Sequence, residues 1–179
     1  TAGHTRLALD GRELAHPILL APIAFQGLFH PEAEVAVARA AAATGTGIVL
    51  STLSSVALEA VAAAGAAERR FQLYFQPQRE ATVDLVARAA RAGYRTIVVT
   101  LDAPLQSASH RALEAGFRMP PGQVAANLQQ YGVAASHEPR GPADSRVLQG
   151  LMRAAHAGGV LQLDFSAWLQ PGETRLTVQ

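Results

Sequence analysis

The sequence predicts an α/β fold in which single strands and helices alternate along one domain. Four short apolar runs occur in succession, and each of the first three is followed by a longer segment of helical character. The run Ile97-Val98-Val99 is continuously apolar, as is typical of a parallel strand covered on both faces. A length of 179 residues suits one domain with a real core. Such alternation predicts a parallel sheet with right-handed crossovers.

The first elements are a hairpin and one strand–helix unit. An Asp-Gly pair at 10–11 stands between Leu7-Ala8-Leu9 and Arg12-Glu13-Leu14, which predicts a tight hairpin turn. A strand is expected over Ile18–Ala21. The helix that follows should cover Pro31–Thr44, because the missing N–H of proline carries no penalty in a first turn. Gly45 is the predicted helix stop.

Three further strands and two further helices follow. The predicted strands are Gly47–Ser51, Arg70–Tyr74 and Thr96–Leu101, and the predicted helices are Ser55–Ala64 and Gln78–Ala92. The second of these helices carries apolar residues at positions i, i+3, i+4 and i+7, namely Val83, Val86, Ala87 and Ala90. Gly93 should end it.

Beyond residue 101 the pattern changes to a proline-rich, irregular stretch over 102–142. Loops of this length commonly bind ligands or cover sites. A short helix is expected near Val124–Gln130, with further helices over Ala143–Ala155 and Asp164–Leu169. Leu176 to Val178 should begin another strand. At this point both an open doubly wound sheet and a piece of a (β/α)₈ barrel are possible, although no glycine-rich phosphate motif follows the first strand.

Composition excludes several classes of function. Apolar residues make up 49%, charged residues 16%, and the formal net charge is +1. No strong field is therefore expected to attract nucleic acid or a membrane surface. There is no cysteine, which excludes disulfides and thiolate chemistry and fits a cytoplasmic protein. No secretory signal, membrane-spanning run or metal-ligand spacing is expected.

Six short segments occur together in a specific order and spacing. They are Pro17–Ala24, His30–Glu32, Ser51–Ser55, Phe71–Tyr74, Thr100–Pro104 and Gly116–Pro120. Together they resemble the FMN-dependent α-hydroxy acid oxidase and dehydrogenase family, which includes glycolate oxidase, lactate oxidase and mandelate dehydrogenase. Each segment alone would be a weak signal, but together they cover nearly the whole chain.

The resemblance implies a partial TIM (β/α)₈ barrel of about four strand–helix units, with a long loop after the fourth strand. Residues 1–179 would form a single incomplete barrel. Within it, 1–101 would hold the hairpin and four strands, 102–142 an active-site loop, and 143–179 helices leading into a fifth strand. FMN would lie across the carboxyl ends of the strands.

The resemblance also assigns roles to individual residues. Pro22, Ile23 and Ala24 would line the flavin with backbone, and Ser51, Gln72 and Thr100 would hydrogen-bond its isoalloxazine edge. Tyr74 would be a catalytic residue that also contacts the substrate. Arg111 would bind the substrate carboxylate, because Ser109 stands where the family usually has arginine. Without the resemblance, these strand-end residues would read as ordinary strand and capping residues.

The implied activity is oxidation of a small L-2-hydroxy acid to a 2-oxo acid. The family's catalytic histidine and arginine and its lysine lie in the second half of the barrel, which the chain lacks. An alternative is therefore a non-catalytic half-barrel that acts through association. Since a half-barrel leaves sheet edges uncovered, we expect self-association or pairing with a second half. Another phosphate-binding barrel enzyme would not explain Phe71–Tyr74 and Thr100–Pro104.

Overall fold

The computed structural model describes residues 3–100, 110–132 and 177–178. The strands are β1 (Leu7–Leu9), β2 (Arg12–Leu14), β3 (Leu19–Leu20), β4 (Gly47–Ser51), β5 (Arg69–Leu73), β6 (Thr96–Val99) and β7 (Thr177–Val178). The α-helices are α1 (Ala33–Thr44), α2 (Leu58–Ala63), α3 (Arg79–Arg91) and α4 (His110–Glu114). Two 3-10 helices cover Gln26–Leu28 and Ala126–Tyr131.

Among the described residues, the main sheet has five strands, all parallel, in the order β3-β4-β5-β6-β7. Spatial order therefore follows chain order. A doubly wound sheet would reverse its order at a switch point, and these strands do not. With crossovers of one hand, sequential order places the helices on a single face. The fold is a partial (β/α)₈ barrel, which confirms the prediction from the resemblance.

The two faces of the sheet differ sharply in polarity. One face packs against α1, α2 and α3 through side chains that are at most 3% exposed, including Ile48, Leu50, Phe71, Leu73 and Ile97. The opposite face, which is the barrel interior, carries buried polar residues, including Ser51, Arg70, Gln72 and Thr96. Burial of the apolar face stabilises the layered arrangement. The polar face of the sheet is therefore available to form a binding site.

The hairpin closes the amino-terminal end of this sheet. Strands β1 and β2 pair antiparallel, and the turn residues Asp10 and Gly11 have φ of 51° and 73°. Both angles lie in the left-handed region required by a tight hairpin turn, so the Asp-Gly prediction is confirmed. The Asp10 carboxylate lies 2.8 Å from the Arg70 guanidinium, whose Nε is 3.4 Å from Glu68. The buried ion pair ties the hairpin to β5.

The sequence predicted the carboxyl-terminal ends of the helices better than their first residues. Gly45 and Gly93 follow α1 and α3 with φ of 67° and 82°, as predicted. Helix α1 begins at Ala33, not at Pro31, because the Ala33 N–H donates to the His30 carbonyl and closes a separate turn (3.0 Å). Ala33 itself has φ of 45°. Helix α2 begins only at Leu58, since the preceding residue is extended.

The buried face of α3 differs from the predicted one. The buried residues are Ala81, Thr82, Leu85, Val86 and Ala89, so of the predicted apolar positions only Val86 is buried. Thr82 lies on the buried face, where its hydroxyl accepts a hydrogen bond from the Gln76 N–H (2.8 Å). Because alanine is only weakly hydrophobic, the spacing of alanines in a sequence does not show which face of a helix is buried.

The segment after β6 contains more structure than the sequence suggested. Helix α4 lies within the stretch that was predicted to be irregular, and the predicted helix near 124–130 is a 3-10 helix. Strand β7 confirms the strand that was expected to begin over 176–178. The helices predicted over 143–155 and 164–169 lie outside the described residues. Within the described part of the chain, no helix is long and apolar enough to cross a membrane.

Candidate active site

A row of hydrogen-bonded polar side chains crosses the carboxyl ends of three adjacent strands. Ser51 ends β4 and pairs in register with Gln72 of β5. The Ser51 hydroxyl donates to Gln72 Oε1 (3.3 Å), and Gln72 Nε2 donates to Thr100 Oγ1 (2.8 Å). We call Ser51, Gln72 and Thr100 the polar ladder. The structure therefore brings together three residues that the resemblance had assigned to one edge of a cofactor.

The ladder is fixed by its surroundings. The Leu53 N–H donates to the Ser51 hydroxyl (3.1 Å), which leaves that hydroxyl's own proton for Gln72. Ser51 and Gln72 are 4% and 3% exposed, whereas Thr100 is half-buried. Because Thr100 Oγ1 accepts from Gln72, its O–H can donate to a ligand on the open face. A chain of aligned donors and acceptors is thus available at the strand ends.

Thr52 is a site residue that the sequence analysis missed. Its hydroxyl donates to the Gln72 carbonyl (2.6 Å) and accepts from the Tyr74 N–H (3.1 Å). This bridge sets the backbone of Tyr74, which lies directly after β5 and is half-buried. A second hydroxyl residue after a strand-end serine was the only sequence signal for Thr52, and such residues commonly cap turns.

The loop after β3 presents its backbone at the same end of the sheet. Pro22 and Ile23 are exposed and Ala24 is half-buried. Phe25 has φ of 51°, in the left-handed region that a bulky residue seldom adopts, and its N–H donates to the Leu53 carbonyl (3.0 Å). Backbone held in such a conformation is typical of functional loops. This supports a lining role for residues 22–24, which stays a prediction.

A buried carboxylate joins this loop to the loop after β4. Glu34 is 1% exposed, and its Oε1 accepts from the backbone N–H groups of Ser55 (2.9 Å) and Gln26 (3.2 Å). The Gly27 N–H donates to the Ser55 hydroxyl (2.9 Å). A methyl group on Gly27 would lie 2.9 Å from Gln123 Oε1 and 3.0 Å from Ser55 Oγ, so only glycine fits without movement of these neighbours. The sequence offered no sign of this role for Glu34.

The remaining predicted residue, Arg111, lies on α4 with an exposed side chain. Residues 101–109, which connect α4 to β6 and include Ser109, lie outside the described residues. The substrate-binding role of Arg111 therefore stays a prediction. The His30 ring accepts from the Glu32 N–H through Nδ1 (3.2 Å), directly before the start of α1. The described residues contain no cluster of three or more His, Asp or Glu side chains that could hold a metal ion.

Two residues with shifted pKa values, Glu59 and Tyr131, lie on the outer helical layer, away from the polar ladder. A bidentate bond from Arg88 lowers the pKa of Glu59, with Nε–Oε1 and Nη2–Oε2 distances of 2.8 and 3.0 Å. Burial raises the pKa of Tyr131, and its hydrogen bond to Asp84 acts in the same direction. A depression of about 400 Å³ between α2 and α3 is lined by Glu59, Arg88 and neighbouring alanines. These groups hold the helical layer together.

The polar ladder suits the edge of an isoalloxazine ring. That edge alternates ring carbonyls with N–H or imine nitrogen, so it needs donors and acceptors side by side. The amide of Gln72 and the hydroxyls of Ser51 and Thr100 supply both kinds of group. The exposed side chain of Ile23 adds apolar surface at the same end of the sheet. The residues present therefore fit FMN.

The chain matches a family model described as "FMN-dependent dehydrogenase" over residues 1–169. It is 57% identical over 154 residues to an L-lactate oxidase of Alicycliphilus denitrificans, covering 86% of this chain and 42% of that protein. It is 43% identical to a 4-hydroxymandelate oxidase of Amycolatopsis orientalis, covering 76% of this chain and 38% of that protein. Solved structures agree, and a mandelate oxidase with benzoyl-formic acid gives a TM-score of 0.67 at 44% identity, covering 70% of this chain and 37% of that one.

Proposed function

The chain belongs to the FMN-dependent dehydrogenase family, and we propose that it forms the FMN-binding part of an enzyme that oxidises a small L-2-hydroxy acid to a 2-oxo acid. It spans between about a third and a half of the relatives named above (42% and 38%). The observation that carries the proposal is the polar ladder. Lactate and 4-hydroxymandelate oxidases among the relatives support a 2-hydroxy acid as the substrate.

Ser51, Gln72 and Thr100 would hold the flavin edge, and the backbone of residues 22–24 would line its ring. When bound, FMN supplies the acceptor for the hydride equivalent that leaves the substrate carbon. The protein's part is to hold the substrate carbon against the ring in a fixed orientation. A ladder whose members are already hydrogen-bonded to each other needs little reorganisation to do this.

Tyr74 and Arg111 would act on the substrate. The phenol of Tyr74 would donate a hydrogen bond to the substrate, with its backbone set by Thr52 (3.1 Å). The guanidinium of Arg111 would form a charge-assisted pair with the substrate carboxylate. The substrate hydroxyl must also lose a proton, and we assign this step to a histidine in the second half of the family's barrel.

We also propose that 1–101 forms the hairpin and the first four strands, 102–142 an active-site loop, and 143–179 the approach to the fifth strand. We place the protein in the cytoplasm, which the absence of cysteine supports.

Flavin binding and reduction test this function directly. The purified protein is titrated with FMN and then mixed anaerobically with L-lactate, glycolate or L-mandelate. Bleaching of the flavin band supports the proposal, and absence of FMN binding contradicts it. The variant Tyr74→Phe should bind FMN normally and raise KM by roughly tenfold, since it loses one hydrogen bond to the substrate. Tyr131→Phe, which loses a hydroxyl that faces Asp84 and Arg88 of α3, should leave KM unchanged.

A second candidate is a half-barrel that acts through association. Strand β3 is an edge strand within the described sheet, with Ile18 beside it 60% exposed and Leu19 and Leu20 only half-buried. Uncovered edges of this kind favour pairing with another chain. This candidate predicts a dimer, or a complex with a second barrel half, in sedimentation at micromolar concentration. A single monomeric species would contradict it.

A further inference from the structure

Asn127 is a fully buried residue of the 3-10 helix Ala126–Tyr131, and its amide bonds to only one loop. Its Oδ1 accepts from the Leu58 N–H at the start of α2 (2.8 Å). Its Nδ2 donates to the Ser54 hydroxyl (2.8 Å), with longer contacts to the carbonyls of Thr52 (3.4 Å) and Ser51 (3.5 Å). The loop over 51–58, which begins with the first member of the polar ladder, is therefore joined to a segment far along the chain.

The backbone of this segment is itself anchored. The Ala126 N–H donates to the Ser54 carbonyl (2.9 Å), and Arg88 Nη1 donates to the Asn127 carbonyl (3.1 Å). Arg88 is held by its bidentate bond to Glu59. Asn127 thus connects the 51–58 loop to the rigid layer formed by α2 and α3.

The loop is held from its opposite side by Glu34 and Phe25, which bond to Ser55 and Leu53. Contacts on two sides therefore hold the loop, and loss of the Asn127 contacts weakens its attachment on one of them. The Leu53 N–H to Ser51 Oγ bond lies within this loop and orients the Ser51 hydroxyl toward Gln72. A shift of the loop would break the ladder at its first member.

We propose that Asn127 is a positioning residue that sets the Ser51 end of the flavin site from outside the strands. This inference rests on the proposed function, because Ser51 is taken to contact FMN. It assigns a role in cofactor binding to the 3-10 helix Ala126–Tyr131. The donor half of the amide carries the role, because it is the half that faces oxygens of residues 51, 52 and 54.

Asn127→Asp tests the donor and acceptor halves of the amide separately, since it removes the donor, keeps the acceptor and leaves the side-chain volume nearly constant. The variant keeps an acceptor for the Leu58 N–H but places a carboxylate oxygen against two carbonyls and a hydroxyl. Tyr131→Phe is the matched control, since it removes a hydroxyl from the same 3-10 helix on the side that faces Asp84 and Arg88. Ser54→Ala is a milder second variant, which removes only the 2.8 Å contact with Nδ2 and the Ser54 bond to Val56.

Two readouts are measured on the full-length protein. Hydrogen exchange of amides 52–58 should speed by about tenfold in Asn127→Asp, with β5 and α3 unchanged, and FMN Kd should rise by about tenfold. Tyr131→Phe should change neither. Ser54→Ala should move both in the same direction by a smaller factor, and it decides the matter if Asn127→Asp does not fold.

The outcomes separate the inference from the proposed function. Unchanged exchange at 52–58 overturns the positioning role, whether or not FMN binds. Faster exchange with an unchanged FMN Kd also overturns it, because the loop would then not matter to the cofactor. If the unmodified protein fails to bind FMN, the proposed function fails, and the exchange data still decide whether Asn127 holds the loop.

Discussion

Replacing Gln72 with methionine removes the amide at the centre of the polar ladder while keeping side-chain volume nearly constant. The lengths of the hydrogen bonds made by Gln72 set the size of the expected loss of stability. The bond to Thr100 Oγ1 is 2.8 Å long, whereas the contacts from Ser51 Oγ and Thr52 N are both 3.3 Å. A well-formed hydrogen bond contributes about 1 kcal/mol net, and longer contacts contribute less. We therefore expect the free energy of unfolding to fall by roughly 1 to 2 kcal/mol.

Urea denaturation without FMN measures this loss of stability, and flavin fluorescence measures cofactor affinity. If Gln72 contacts FMN, the variant also loses one neutral hydrogen bond to the cofactor. The FMN Kd should then rise by about 5- to 10-fold. Both effects have the same origin, since the amide that supports the ladder would also face the ring.

Gln78→Met is the matched control, because Gln78 is exposed at the start of α3 and makes no side-chain capping bond. It should change stability by less than about 0.5 kcal/mol and leave FMN affinity unaltered. A Gln72→Met protein that loses stability but binds FMN within about twofold of the original affinity would refute the assignment of Gln72 to the cofactor site. An unchanged free energy of unfolding would refute the contribution of the polar ladder to stability.

Three other predictions concern stability. Gly47→Ala should lower the free energy of unfolding by about 1–3 kcal/mol, because its Cβ would lie 2.6 Å from Leu19 Cδ2. Adding Leu19→Ala should then cost less than it does alone, and simple additivity in urea denaturation would contradict the clash. Arg70→Met should cost about 2–4 kcal/mol, because it removes the buried guanidinium that pairs with the carboxylates of Asp10 and Glu68, and a smaller loss would show that other contacts compensate them. Burial raises the pKa of Tyr94 above its usual value of 10, so the unfolded state loses this proton first and stability falls as pH rises above about 10. Tyr94→Phe should flatten that decline, and a parallel decline in both proteins would contradict this origin.

The repeating architecture could be predicted from the sequence. Apolar runs of strand length, separated by segments of helix length, were sufficient for a parallel α/β sheet. The hairpin turn at 10–11 and the helix stops at Gly45 and Gly93 followed from backbone preferences that act within a few residues. The choice of a barrel over a doubly wound sheet did not follow from these local signals. The resemblance supplied it, and the sequential strand order confirms it.

Part of the site was also predictable. Gln72 and Thr100 were selected at strand ends through the resemblance, and the structure shows them 2.8 Å apart. Thr52 was missed, because a hydroxyl after a strand reads equally well as a turn cap. The start of α2 and the buried face of α3 were also misjudged. Both depend on polar contacts with neighbouring segments, which outweigh weak local preferences for helix.

The sequence by itself determined where strands and helices alternate, because that pattern depends on the apolar or polar character of near neighbours. The tertiary structure decided how the loops at the strand ends are held. Glu34 joins Gln26 to Ser55, and Asn127 binds the loop over 51–58 from a segment about 70 residues away. Neither contact leaves a local pattern, since a buried carboxylate and a buried amide find their partners only after the sheet has brought those segments together.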